Sequence, residues 1–346
     1  VRVFNGTSAT LSGPSYVLVK GNTIAQSSAT PLDAAAIAGA QVIEGNGRTL
    51  MPGLIDAHWH SMMAAPPLNA LVGGDTRYLT VIAAAESTRT LMRGFTTVRD
   101  VGGNVFGLKQ AVDEGVVPGP RIYPSGAMIS VTSGHGDFRQ AGDLPRKQGA
   151  PGAVGDMDGD SAIADSPDEV RMRVREQLMR GAAHIKLTAG GGVSSPHSPL
   201  DVVTFTPAEL RAATEAAGNW GTYVTVHAYT ADAIRQAIES GVKVIEHGSL
   251  MDDETARLMQ SKGIWLSIQP FPDAMADAFP PGSFERKKAE EVFAGNHNAY
   301  TLAKKYRLKT AWGTDVLFSA ALAAQQGAIL ASLNRWYTPA ETLAMA

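Results

Sequence analysis

The sequence predicts a (β/α)8 barrel with a small accessory β-sandwich domain. Three observations carry that prediction. Eight short apolar runs recur after residue 50, helical stretches with start signals separate them, and 346 residues hold one barrel of roughly 250 residues with a small unit to spare. The runs are Leu50–Ala57, Phe95–Arg99, Arg121–Ile129, His184–Leu187, Tyr223–Val226, Lys243–Glu246, Ile264–Ile268 and Lys309–Gly313. They are apolar almost throughout, as parallel strands buried on both faces must be.

The intervening helices announce their ends. Ser166-Pro167-Asp168-Glu169 and Thr206-Pro207-Ala208-Glu209 each offer a capping hydroxyl, proline at the first helical position and a glutamate for a capping box. Thr230 and Asp252 are predicted caps for two more helices. Gly94, Gly115, Gly181, Gly241 and Gly263 stand where helices should stop. Eight such units in series favour a closed barrel over an open doubly wound sheet.

Residues 1–50 read as strands and turns. Val1–Phe4 runs into Asn5-Gly6, Tyr16–Lys20 into Gly21-Asn22, and Ile24 and Val42-Ile43 continue the pattern. A short helical period occurs at most around Asp33–Gly39. The expected division is therefore residues 1–50 as the N-terminal part of a small β-sandwich and residues 51–346 as the barrel. Residues 131–165, rich in Gly, Asp and Pro, are expected to form a long loop at the C-terminal face of the barrel, where such loops shape pockets.

Composition narrows the functional classes. Hydrophobic residues make up 44% and charged residues 18% of the chain, and the net charge is −3. No basic excess exists to drive nucleic-acid or anionic-membrane binding. The chain has no cysteine, which excludes disulfides, thiolate metal sites and a cysteine nucleophile. It also leaves reducing and oxidising compartments equally open. No apolar run approaches a membrane span and no signal peptide is visible, although Val1 opens directly into a strand-like run, as after removal of a leader.

Polar residues punctuate the strand ends. His58 and His60 close the first run and, two apart on a strand, face the same way. Lys186 lies in the fourth run, His227 ends the fifth, His247 the sixth, and Asp315 follows the eighth. Barrel enzymes place their chemistry at these C-terminal strand ends. Six ionisable groups converging on one mouth need a shared counter-ion, because a buried unpaired charge costs several kcal/mol, and a divalent metal supplies it. His135, in Ser133-Gly134-His135-Gly136, is placed to bind substrate or a developing oxyanion, and Tyr229, two residues beyond His227, is placed likewise. His197, in a Ser/Pro loop, is a further candidate for substrate contact. Val193, Leu317 and Phe318 suggest an apolar subsite. His184 is expected in the core and His297 in solvent, and Arg99 and Asp100 are expected to pair at the mouth. Gly190–Gly192 lacks the Lys-Ser/Thr of a nucleotide loop and is expected to let backbone approach substrate.

The ordered set Met51-Pro52-Gly53-Leu54-Ile55-Asp56-Ala57-His58-Trp59-His60, Lys186 followed by Gly190-Gly191-Gly192-Val193, Val226-His227-Ala228, Ile245-Glu246-His247-Gly248 and Gly313-Thr314-Asp315 resembles the amidohydrolase superfamily. The likeness is strongest to its imidazolonepropionase- and prolidase-like branch, with Xaa-Pro dipeptidases and ochratoxin-type amidases. The resemblance implies that Lys186 is carbamylated by CO2 and bridges two divalent ions. His58, His60 and Asp315 would hold the first and His227 and His247 the second. Nitrogen and oxygen ligands without thiolate suit Zn2+, with Mn2+ or Co2+ as alternatives. Asp315 would act as general base and then general acid, with His135 assisting at the substrate. The expected activity is hydrolysis of an amide bond that releases an amino acid from a small dipeptide or N-acyl amino acid, as a prolidase-like or ochratoxin-type amidase or carboxypeptidase. The alternatives are a cyclic amide or lactone hydrolase, a mononuclear deaminase, against which Lys186 argues, and a non-catalytic barrel. The expected partners are a small substrate and further copies of the chain in a homo-oligomer. Members of the superfamily continue past the eighth strand to complete the sandwich, so a further segment is expected beyond Ala346.

Overall fold

Alternating apolar runs and capped helices build the architecture. The computed structural model describes residues 1–139, 142–143, 154–271, 275–276 and 279–346. Strands β1 (Arg2–Val3), β2 (Tyr16–Lys20), β3 (Thr23–Ser28) and β4 (Thr49–Leu50) come first. Then follow β5 (Leu54–Trp59), α1 (Leu68–Gly73), α2 (Thr76–Met92), β6 (Phe95–Asp100), α3 (Phe106–Asp113), β7 (Arg121–Pro124) and β8 (Met128–Ser130). The middle of the chain holds α4 (Val154–Asp158), β9 (Ser161–Ile163), α5 (Pro167–Met179), β10 (Ile185–Thr188), α6 (Pro207–Asn219), β11 (Val224–Thr230) and α7 (Ala231–Glu239). The remainder is β12 (Val244–Leu250), α8 (Asp253–Lys262), β13 (Trp265–Ile268), α9 (Phe284–Tyr306), β14 (Lys309–Trp312), α10 (Ala320–Ala323), α11 (Gln326–Ala331) and α12 (Pro339–Met345).

Parallel pairing runs from β5 through β6 to β7, and from β8 through β10, β11, β12 and β13 to β14. Lys186 lies opposite Thr225, and Val226 opposite Ile245. Ile129, Ile185, Leu187, Val226, Ile245 and Leu266 are fully buried in one core with the helices. Each contributes roughly 1.5–3 kcal/mol by leaving water. The ring closes where β14 meets β5. Asp315 N donates to His58 O at 2.9 Å. An ideal Cβ on Gly313 would lie 2.5 Å from His58 N, so only glycine allows this approach.

The third run departs from expectation. It is two strands, broken at Gly126 (φ 73). β7 pairs with β6, whereas β8 pairs with β10 on one side and with β9 on the other. A strand from the following loop, β9, thus extends the sheet beyond β8 as its edge strand. The loop over 131–165 is therefore not structureless: it supplies α4 and β9. Its stretches 140–141 and 144–153 lie outside the described residues.

Most caps form as read. Thr206 and Glu209 make a full capping box on α6, and Asp252 accepts from Thr255 N at the start of α8. Ser166 caps α5, but Glu169 turns to Asp165 N, so the box stays open. Thr230 precedes α7 without a capping bond, and its buried hydroxyl has no partner among the described residues. All five predicted stop glycines have positive φ.

In the first fifty residues β1 pairs with β4 in parallel, and β2 and β3 form an antiparallel hairpin turning at Gly21 (φ 61). Asp33–Gly39 forms turns rather than a helix, and Val42-Ile43 lies outside any strand. Ile24 on β3 and Ile43 are 69% and 81% exposed, which leaves apolar side chains of this segment uncovered. Among the described residues no helix is long and apolar enough to cross a membrane.

Candidate metal centre

Strand alternation starts the site and backbone strain completes it. His58 and His60 end β5 with both side chains turned into the barrel mouth, their ring centroids 5.3 Å apart. Neighbours on a strand face opposite sides, so Glu246 and His247 should diverge. They do not, because His247 takes a left-handed conformation (φ 74), which breaks the alternation. Its ring then lies 4.8 Å from that of His58 and 4.5 Å from that of His227. Asp315 (φ 52) is also left-handed. Side chains with a Cβ avoid this region, and such strain clusters at functional sites.

The cluster is tight. Asp315 Oδ1 lies 3.3 Å from both His58 Nε2 and His60 Nε2. Ligand atoms of His58, His247 and Asp315 all fall within 4.8 Å of one another. Lys186 is 2% exposed, and among the described residues no hydrogen bond holds its ammonium. Burial pulls its pKa down to about 8, against the pull of Glu246 and Asp315.

The hydrogen bonds around the imidazoles test whether this donor set suits a cation. His58 Nδ1 meets Glu246 Oε2 at 2.8 Å, and His60 Nδ1 meets Gly102 O at 3.0 Å. His227 Nε2 meets Gly191 O at 2.8 Å, and His247 Nδ1 meets Gln269 Oε1 at 2.6 Å. All four partners are acceptors. A neutral imidazole so placed donates to that acceptor and turns its other nitrogen away from it; for His58 and His60 that other nitrogen faces Asp315 Oδ1. Metal-ligating histidines are held this way. Burial keeps His227 and His247 well below the usual histidine range, hence neutral. Burial also opposes charge on His58, but the Asp315 and Glu246 carboxylates outweigh it and raise its pKa. Four imidazoles, one carboxylate and one amine, with no sulfur, fit borderline divalent ions.

The supporting carboxylates carry no signal in isolation. Glu246, fully buried, accepts from His58, Arg99 and Thr225. Burial would raise its pKa, but Arg99 and His58 hold it well below the carboxylate range. Asp56 accepts from His58 N, Thr314 N, the Thr314 hydroxyl and Gln326, which ties the Asp315 turn to β5. Asp100 accepts from Ser61 N and Gly102 N. The expected Arg99–Asp100 pair is absent, because adjacent residues on β6 face opposite ways and Arg99 reaches Glu246 instead. Glu246 was legible only as the neighbour of His247, and Gln269 and Asp56 only as polar residues in apolar strands.

Of the expected substrate residues, three flank the cluster. The His135 ring lies 4.3 Å from that of His227, with Nδ1 2.8 Å from Ser195 Oγ. Burial, then Lys186, lowers its pKa to about 3. Tyr229 is buried, its ring 4.5 Å from His227 and 5.1 Å from His247, and burial raises its pKa. Val193 packs against the cluster of Leu200, Tyr229 and Phe271, and the Phe271 ring lies 5.1 Å from that of Phe293. His197 is not drawn in: its side chain is exposed, and only its carbonyl is engaged, by the Ser133 hydroxyl. His184 is buried and stacked on Tyr223, away from the cluster. His297 is exposed and accepts from Trp336. Leu317 and Phe318 are half-buried and lie outside the Val193 group.

Comparison with known proteins follows the same lines. The profile of the amidohydrolase family matches residues 49–327. Ochratoxinase of Aspergillus niger is 33% identical over 289 residues, 77% of this chain and 58% of that protein. The chain thus spans 58% of the length of this curated relative. The crystal structure of an amidohydrolase superposes with a TM-score of 0.90 at 35% identity, covering 100% of this chain and 83% of that one. A prolidase complexed with N-methylphosphonate-L-proline does so with a TM-score of 0.90 at 32% identity, covering 100% and 84%.

Proposed function

Because the chain belongs to the amidohydrolase family, we propose that it is a binuclear metal-dependent amidase releasing an amino acid from a small dipeptide or N-acyl amino acid. The observation that carries this reading is the set of four imidazoles, each with one nitrogen tied to an acceptor of the surrounding protein, gathered around Asp315 and Lys186 with Asp315 Oδ1 facing the other nitrogen of His58 and of His60. His58, His60 and Asp315 would hold one ion and His227 and His247 the other, with Zn2+ the best match and Mn2+ or Co2+ the alternatives. Lys186 would join them as its carbamate: the free amine attacks CO2, a C–N bond forms and one proton leaves. An amine buried among imidazoles with its pKa near 8 favours that reaction, since only the unprotonated form attacks. When bound, the ions supply Lewis acidity and make water nucleophilic near neutral pH.

The chain's own groups do the rest. Burial works against the Asp315 carboxylate, but His58 and His60 keep its pKa well below the usual range, so it is anionic and able to take a proton from the attacking water. It delivers that proton to the amide nitrogen as the C–N bond breaks. The water oxygen stays on the carbonyl carbon, so an acid and a free amine leave. Tyr229, held protonated by burial, and His135, held neutral by burial, each have one proton to donate to the carbonyl oxygen as charge develops there. Val193, Leu200, Phe271 and Phe293 offer an apolar wall beside the imidazoles, which suits a proline or phenylalanine side chain.

The test is a panel of acyl-proline and acyl-phenylalanine substrates, with release of free amino acid as the readout. We expect activity that chelation abolishes and Zn2+ restores. Hydrolysis that survives complete metal removal overturns the reading.

A further inference from the structure

Lys288 has no part in the chemistry above, yet it is nearly as buried as the metal-centre lysine, 4% exposed. It enters from the second turn of α9. Its Nζ donates to Gly192 O at 2.7 Å, Ser195 O at 2.8 Å and Ser198 O at 3.2 Å. An ammonium has three donors, and all three go to one loop. The Phe284 ring lies 4.3 Å beneath the charge. Burying an ammonium is costly unless its hydrogen bonds are replaced, and an apolar side chain would fill this space with less penalty. What the ammonium provides is a single point on which three carbonyls converge.

Two of the residues it holds touch His135. Ser195 Oγ lies 2.8 Å from His135 Nδ1 and accepts from Gly136 N at 3.0 Å. Gly192 lies directly against the imidazole: an ideal Cβ there would sit 1.9 Å from His135 Nδ1. Two of the three carbonyls bound by Lys288 thus belong to the two loop residues that locate His135. The His135 ring in turn rests on His227.

We propose that Lys288 is a positioning residue of this centre, which fixes the 191–198 loop and, through Gly192 and Ser195, the place from which His135 meets substrate. The proposal rests on the functional reading of His135 given above. It also explains the Gly190–Gly192 run. At Gly192 the missing side chain makes room for an imidazole rather than for a phosphate.

The experiment uses the full metal-loaded chain with Lys288→Met, Ser195→Ala and the double variant. In Lys288→Met we expect amides of residues 191–198 to exchange hydrogen faster than in the parent, with metal content unchanged. We expect KM for an acyl amino acid to rise about tenfold or more with a smaller change in kcat, the pattern of lost substrate binding. Ser195→Ala should raise KM similarly, and the double variant should do no more than the worse single one, because both act through the same contact. Should Lys288→Met fail to fold, Lys288→Arg serves: its planar fork keeps the charge but cannot meet three carbonyls at once. Unchanged exchange, unchanged KM in a loosened loop, or multiplicative effects in the double variant would overturn the proposal. A parent enzyme that hydrolyses no acyl amino acid would sink the functional reading, while the exchange comparison would still decide whether Lys288 holds the loop.

Discussion

At the scale of single residues, Glu246 links the centre to the barrel interior. One of its oxygens meets His58 Nδ1 and the other meets Arg99, so one carboxylate orients an imidazole and neutralises a buried guanidinium. Glu246→Gln keeps the shape and removes the charge. We expect a loss of about 3–5 kcal/mol in unfolding free energy, the usual result of leaving one partner of a buried pair. Metal affinity should also fall about 10- to 100-fold, as when the outer partner of a ligating histidine is lost. Urea titration and competition with a chelator measure the two. Unaltered metal affinity would show that His58 needs no such support. Glu246 was not legible as functional in the sequence, because strand alternation assigns it the face opposite His247. Only the left-handed backbone at His247 brings both inward, and single-residue strain of this kind leaves no compositional trace.

At the scale of elements, the strands that build the site and the helices that surround it should respond differently to substitution. Gly313→Ala would place a Cβ 2.4 Å from His58 Cβ and push β14 away from β5, separating Asp315 from the imidazoles. Overpacking of this kind costs about 1–3 kcal/mol, and activity should fall with it. Thr206→Ala removes the capping hydroxyl of α6 and should cost about 1 kcal/mol with kcat/KM unchanged, since α6 lies on the outer ring. Denaturation midpoints and kcat/KM for both variants separate the two classes. The capping boxes were readable because they are local, three residues apart. The split of the third run at Gly126 was not, because it depends on β9 arriving from a distant loop to pair with β8.

At the scale of the whole molecule, burial of neutral imidazoles makes stability depend on pH. Burial holds His184, His227 and His247 well below the ordinary histidine range and His135 at about 3. The unfolded chain binds these protons from about pH 6.5 downward, while the folded chain refuses them. The unfolded state then holds more protons, so stability rises with pH across this window and is lost as pH falls. Each group contributes at most about 1.4 kcal/mol per pH unit. His58 acts in the opposite sense only above pH 6.5, where its raised folded pKa keeps a proton that the unfolded chain has released. We expect the metal-free protein to lose stability steeply below about pH 6.5 in thermal scans. A flat profile between pH 6.5 and 5 would show that these imidazoles are hydrated or already charged.

The amino-acid order alone determined the barrel, since eight buried strands and their capped helices are each encoded by a local period and local stop signals. It also singled out His58, His60, Lys186, His227, His247 and Asp315 as candidate ligands, because polar groups at the ends of apolar strands stand out against their neighbours. The tertiary structure alone decided how they are aimed. Glu246, Gln269, Gly102 and Gly191 each hold one nitrogen of an imidazole, and Lys288 anchors the loop that places His135 from 96 residues beyond Gly192. These contacts join residues far apart along the chain, and no period or neighbour rule reports which distant donor will meet which acceptor.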